Sequence, residues 1–113
     1  MHEYSLVQAM MRRVEEEARA RNATAVHRVH VRIGRFSGVE ANLFATAYEV
    51  LRPGTLCANA ELAIAPEAGE WHCGACGTLL PAGAELVCQE CGWPASLMRG
   101  GDLVLERIEL EVG

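Results

Sequence analysis

Two cysteine pairs constrain this chain more than any other feature: Cys73-Gly74-Ala75-Cys76 and Cys88-Gln89-Glu90-Cys91, separated by eleven residues. Two residues between ligands let a tight turn aim both sulfurs at one ion while backbone N–H groups point at the thiolates. Each pair is followed by a glycine, Gly77 or Gly92, which suits the positive φ that returns the chain. Two such knuckles can close a tetrahedral four-cysteine site, for which zinc is the reading taken, over disulfides, iron or loose thiols. The spacer is shorter than in the usual zinc ribbon, but it leaves room for a short hairpin. Four thiolates saturate tetrahedral zinc and leave no position for water, so the expected role is structural and not hydrolytic. Trp71 and Trp93 flank the knuckles and are expected to supply the packing of so small a module. His72 reads as a surface residue, with a further metal contact as its alternative.

The 113 residues suffice for one compact domain with a small satellite, not for two full-sized cores. Fifteen acids oppose ten bases, all arginine, for a formal charge of -5. Binding a polyanion by counterion release needs the opposite balance, and the stretch 71–100 holds one arginine against two glutamates. The opening Met1-His2-Glu3-Tyr4-Ser5 has no signal-peptide core, and no apolar run reaches membrane-spanning length. The chain therefore reads as soluble and cytoplasmic, where cysteines more often bind metal than pair.

Ser5 and Gln8 form a possible capping box, followed by apolar residues at helical spacing: Leu6, Val7, Met10, Met11, Val14 and Ala18. Asn22 breaks that pattern. From Ala25 the period becomes two, with Val29, Val31 and Ile33 alternating against Arg28, His30 and Arg32 until Gly34. His27 and His30 are expected on opposite faces of this strand. Ser37 and Glu40 suggest a second capping box before Leu43, Phe44, Ala47, Tyr48 and Leu51, and Pro53-Gly54 stops that helix. Leu62 and Ile64 mark another strand, ending at Pro66. The last strand turns Ile108, Leu110 and Val112 one way and Glu109 and Glu111 the other, with a bulge expected near Glu106. Cys57, without a nearby cysteine or base, reads as a small buried apolar residue. These elements predict an α+β fold: a three-stranded sheet covered by two helices, with an inserted four-cysteine zinc-ribbon module. The main domain would comprise 1–70 and 101–113, interrupted by the module at 71–100.

His2 carries a second kind of metal chemistry. Chain ends are ordinarily frayed, and an idle imidazole is the plain expectation. Yet an imidazole Nδ1 and its own backbone nitrogen close a six-membered chelate ring, and the Met1 amine lies one five-membered ring further on. Nitrogens in a plane suit Ni(II) or Cu(II), whereas zinc needs no such arrangement.

Met1-His2-Glu3-Tyr4-Ser5, the strand end Arg32-Ile33-Gly34, Ser37-Gly38-Val39-Glu40 and two late knuckles before a glutamate-rich strand together resemble one family. It is the HypA/HybF-type hydrogenase maturation nickel metallochaperones, and the match runs through essentially the whole chain. The resemblance implies that His2 is the principal nickel ligand, with backbone nitrogens of Met1 and Glu3 available to help. It makes Glu3 and Glu40 acidic neighbours that tune the site, and Cys73, Cys76, Cys88 and Cys91 the ligands of a structural zinc. It also implies a HypB-type GTPase and the large subunit of [NiFe]-hydrogenase as partners, with urease maturation proteins for some members. The expected function is a nickel carrier, monomer or homodimer, and not an enzyme. The alternative is a zinc-ribbon adaptor or nucleic-acid module without nickel transfer. A helix starting at Ser5 would place nickel just before a positive helix end, which Glu3 and Glu40 would offset.

Overall fold

The computed structural model describes residues 2–81 and 83–113; Met1, and with it the proposed chelating amine, lies outside the described residues. Helix α1 (His2–Ala20) buries Val7, Met10, Met11, Val14 and Ala18 along one stripe and leaves its arginines and most of its glutamates wet. It begins at His2, four residues before the Leu6 start that a Ser5 cap requires. Ser5 lies inside the first turns, because Glu3 already supplies an acidic group to the helix start. Asn22 ends the helix in the left-handed region, φ 54°, with its N–H donating to the Arg19 carbonyl.

Strand β1 (Ala23–Gly34) follows and becomes the centre of a three-stranded sheet, order β2-β1-β5. Its buried row is Val26, Val29, Val31 and Ile33. The step from Val26 to Val29 contains a bulge, since Val26 faces Leu110 while Arg28 faces Glu109. That irregularity corrects the expected placement of the two histidines. His27 and His30 both turn to the wet face, where their Nε2 atoms meet Glu111 and Glu109 respectively.

Helix α2 (Ala41–Leu51) carries the chain from β1 to β2 (Glu61–Glu67), which runs parallel to β1. The second expected capping box is replaced by a simpler cap. Glu40 has an extended backbone and its own carboxylate accepts from the Leu43 N–H at 2.7 Å. Ser37 instead donates its hydroxyl to the Gly34 carbonyl and accepts from the Val39 N–H, shaping the loop. Phe44 and Tyr48 are fully buried, and each such ring contributes about 2–3 kcal/mol of hydrophobic stabilisation. The Tyr48 hydroxyl donates to the Ala60 carbonyl at 2.8 Å, so its polar end is satisfied inside the core. Cys57 is fully buried, as its sequence context suggested.

Strands β3 (Glu70–Cys73) and β4 (Ala95–Arg99) pair antiparallel as a separate two-stranded sheet. β5 (Leu103–Val112) then returns to the first sheet, antiparallel to β1. His30 faces Arg107 and Val31 faces Leu105, which leaves Glu106 as the extra residue at the bulge expected there. The molecule is elongated, 56 × 28 × 17 Å, with a radius of gyration of 17.8 Å, against about 13 Å for a compact chain of this length.

The two sheets meet at a crossing of glycines. The Phe36 N–H donates to the Gly100 carbonyl, and the Gly34 N–H to that of Asp102. A Cβ on Gly34 would lie 2.3 Å from the Gly100 backbone, so the close approach requires glycine. Phe36 and Trp71 meet edge to face across the junction, centroids 5.4 Å apart.

Candidate metal centres

The four cysteines of the two knuckles converge: their sulfurs all lie within 4.8 Å of one another. Their local structure explains how. Each CxxC forms a turn in which the following glycine, φ 76° at Gly77 and 69° at Gly92, donates its N–H to the carbonyl of the first cysteine. The Cys73 Sγ accepts from the Ala75 and Cys76 N–H groups at 3.3 and 3.4 Å. Those N–H dipoles, the Cys76 one foremost, pull the Cys73 thiol down to about 6. Cys91 moves the other way, because its thiol donates to the Cys73 sulfur at 3.2 Å.

A tetrahedral zinc with ordinary Zn–S bonds sets its sulfurs about 3.8 Å apart. Cys76 and Cys88 lie 3.8 Å apart and Cys91 and Cys76 4.0 Å, Cys73 and Cys91 are closer at 3.2 Å, and no pair exceeds 4.8 Å. The donor set and the spacing therefore fit a closed four-thiolate metal site. Pairing is arranged differently from the hairpin expected between the knuckles. Among the described residues the spacer offers isolated bridges, His72 to Leu79 and Val87 to Pro94, while the regular strands β3 and β4 flank the site from outside. Trp71 packs as expected, but Trp93 is more than half exposed and contributes little to the interior. The His72 ring is held between Glu70, 2.8 Å away, and the Gly77 carbonyl, which turns it from the sulfurs and raises its pKa, Glu70 contributing most.

The second centre is at the start of α1. Glu3 is buried, and one carboxylate oxygen accepts from the Glu40 N–H at 3.2 Å. That bond, with one from its own N–H, holds the Glu3 carboxyl below the usual range. The same oxygen lies 3.7 Å from Nδ1 of His2, whose ring is exposed. The structure thus brings His2, Glu3 and the Glu40 backbone into one cluster. It places the Glu40 carboxylate on the Leu43 N–H instead. Because α1 begins at His2, the imidazole belongs to the first helical turn and does not precede it. The N–H groups there have no intrahelical acceptor.

The sheet's outward charge ladder escaped sequence reading. Arg32 bridges Glu67 and Glu106, Arg28 meets Glu61, and Arg107 leans toward His30 and Glu109. Alternation shows that such side chains are wet; only strand register says which of them meet.

A small α+β scaffold with a four-thiolate cluster on one arm and a His-Glu cluster at the head of its first helix defines a metal-handling protein. Among the described residues, no helix is long and apolar enough to cross a membrane. The family model described as hydrogenase/urease nickel incorporation, metallochaperone, hypA matches residues 1–110. The chain belongs to this HypA family. It is 36% identical to the hydrogenase maturation factor HypA of Wolinella succinogenes, covering 98% of this chain and 96% of that protein. Identity to the Aquifex aeolicus factor is also 36%, over 99% of each. The solution structure of the nickel metallochaperone HypA from Helicobacter pylori superimposes with a TM-score of 0.77 at 30% identity, over 98% of both chains. A second HypA solution structure gives 0.83 at 31% identity, over 100% of this chain and 98% of the other.

Proposed function

We propose that the protein carries Ni(II) at His2 and delivers it during maturation of [NiFe]-hydrogenase, acting by ligand exchange in a protein complex and not as an enzyme. The observation that carries this reading is the juxtaposition of His2 with a buried, ionised Glu3 tied to the Glu40 backbone. The imidazole, its own amide and the backbone nitrogens of Met1 and Glu3 form a nitrogen donor set suited to a square-planar ion. Deprotonating an amide in the first helical turn breaks no helical hydrogen bond. Glu3 offsets the positive helix end against the incoming cation, while the Glu40 carboxylate stays on the cap of α2.

Zinc is the ion assigned to Cys73, Cys76, Cys88 and Cys91, with a structural role: it fixes the 71–100 module against the remaining 1–70 and 101–113 domain. The family supports a HypB-type GTPase and the hydrogenase large subunit as partners and the cytoplasm as the compartment, with urease maturation proteins a further client route.

The test is metal binding by the zinc-loaded chain with an untagged N-terminus beside His2→Ala. One zinc per chain is expected in both, and specific nickel binding only in the parent. Equal nickel binding by the variant refutes the His2 site.

A further inference from the structure

The four clustered cysteines are not equally reachable. Cys73 and Cys88, the first of each knuckle, are buried, whereas Cys76 and Cys91, the second of each, are exposed. The exposed two belong to different knuckles, and their sulfurs lie 4.0 Å apart. A disulfide of about 2.05 Å brings them about 2 Å closer, with the chain between them already folded back on itself. Cys73 lies nearer to Cys91, at 3.2 Å, but its sulfur is held back from attack. It is buried, and it takes the Ala75 and Cys76 N–H groups, which draw electron density from it. Cys57, the fifth cysteine, is fully buried in the other lobe. The surroundings set the class of oxidant. From Trp71 to Met98 the chain has no arginine or lysine, and Glu85 and Glu90 are exposed. Four thiolates around a zinc dication add further negative charge. An anionic reagent such as oxidised glutathione is repelled there, and a small neutral hydroperoxide is not.

We propose that Cys76 and Cys91 form an oxidation site for hydrogen peroxide, with a Cys76–Cys91 disulfide as the product and release of the zinc as the consequence. The thiolate of either exposed cysteine attacks one peroxide oxygen and breaks the O–O bond, giving a sulfenic acid and hydroxide. The other thiolate attacks that sulfur, forms the S–S bond and expels a second hydroxide. Peroxide gains the two electrons that the sulfurs lose, and solvent protons convert both hydroxides to water. Cys73 and Cys88 are left as two ligands where four are needed, and each takes up a proton as the ion departs. The new bond still joins the knuckles, so the arm exchanges a metal staple for a covalent one. A thiol reductant and zinc restore the first state. The inference rests on the zinc assignment and is independent of nickel binding at His2.

The test uses the full chain, reduced and zinc-loaded, with its zinc content measured first. A reduced chain without zinc overturns the metal assignment beneath the proposal; a loaded chain that keeps its zinc in peroxide overturns the proposal alone. Hydrogen peroxide is added in small excess beside a chromophoric zinc indicator, free thiols are then blocked, and the bond is located by fragment-ion mapping. Zinc release is expected in step with a disulfide between Cys76 and Cys91, with Cys57 still a free thiol. Cys76→His keeps four zinc ligands but loses the disulfide partner, so peroxide should release its zinc at least about tenfold more slowly. Cys57→Ala should behave as the parent does. The disulfide map of the parent stands whether or not Cys76→His holds zinc. A bond within one knuckle, a bond that includes Cys73 or Cys88, or oxidation to sulfinic acid without a disulfide overturns the proposal. So does zinc release from loaded Cys76→His at the parent's rate.

Discussion

Glu3 does two jobs with one carboxylate: it accepts the Glu40 N–H, and it places negative charge beside His2. The two can be separated. Glu3→Gln keeps an oxygen for the Glu40 N–H but removes the charge, so slow amide exchange at Glu40 should persist while nickel binding weakens by about 1–2 kcal/mol. Glu3→Ala should lose both. A second pair of residues sets the alkaline limit of the fold. Burial foremost raises both the Tyr48 phenol and the Cys57 thiol; the two also act on each other, Cys57 raising Tyr48 further and the Tyr48 hydrogen bond opposing on Cys57, with Arg52 opposing on Tyr48 and Glu15 adding to Cys57. Both groups are neutral when protonated, so their contribution is fully present below the unfolded values, about 8.5 for a thiol and about 10 for a phenol. Above those values the unfolded chain releases protons that the folded chain keeps, and stability falls with rising pH. Cys57→Ala should flatten the first part of that decline in urea midpoints measured from about pH 8 upward with zinc in excess. The inert, buried character of Cys57 was legible in the sequence, since nothing near it could activate a thiol. Glu3 was legible only through its place in a motif, because burial of a carboxylate at a chain start depends on a loop 37 residues away.

At the level of elements, periodicity located both helices and the three long strands, and it anticipated the Glu106 bulge from the phase change along β5. It misjudged the start of α1 and the cap of α2. A Ser-x-x-Gln pattern is satisfied equally well in the second turn of a helix as at its first, and only the partners of Glu3 and Glu40 decide. The bulge at His27 escaped because two polar residues in succession, His27 and Arg28, look like ordinary alternation with one exception. The junction of the two sheets was invisible for a different reason: close backbone approach is a property of pairs of segments, not of either alone. It makes a graded prediction. Gly34→Ala drives a Cβ into the Gly100 backbone at 2.3 Å, whereas Gly69→Ala meets the Phe36 ring at 2.1 Å. Backbone cannot turn aside and a half-exposed ring can. Gly34→Ala should therefore cost about 2–4 kcal/mol in urea unfolding and Gly69→Ala about 1 kcal/mol, with the latter also lowering the Phe36–Trp71 contact seen in tryptophan fluorescence.

At the scale of the whole molecule, the chain closes β5 onto β1 only after passing through the cysteine module, so one lobe is a loop in the other. The buried side chains of the core come from α1, β1, α2 and the stretch between α2 and β2, while β2 and β5 pack half-buried side chains against them and complete the sheet. Among the described residues, the only buried hydrophobic side chains of the module are two of its own cysteines, Cys73 and Cys88. Removing zinc should then unfold the module without unfolding the core, because four thiolates have little else to hold them there. What the core loses is a constrained connection: the β2-to-β5 link changes from a few fixed residues to a free loop of roughly 35, an entropic cost of about 2 kcal/mol. Chelation at neutral pH should accordingly leave the helical circular dichroism of α1 and α2 almost intact and shift Trp71 emission to the red as Phe36 is uncovered. The midpoint of the remaining core transition should fall by an amount corresponding to that loop. Complete loss of helical signal on chelation would mean that the knuckles hold the β5 pairing itself, and that the two lobes fold as one unit.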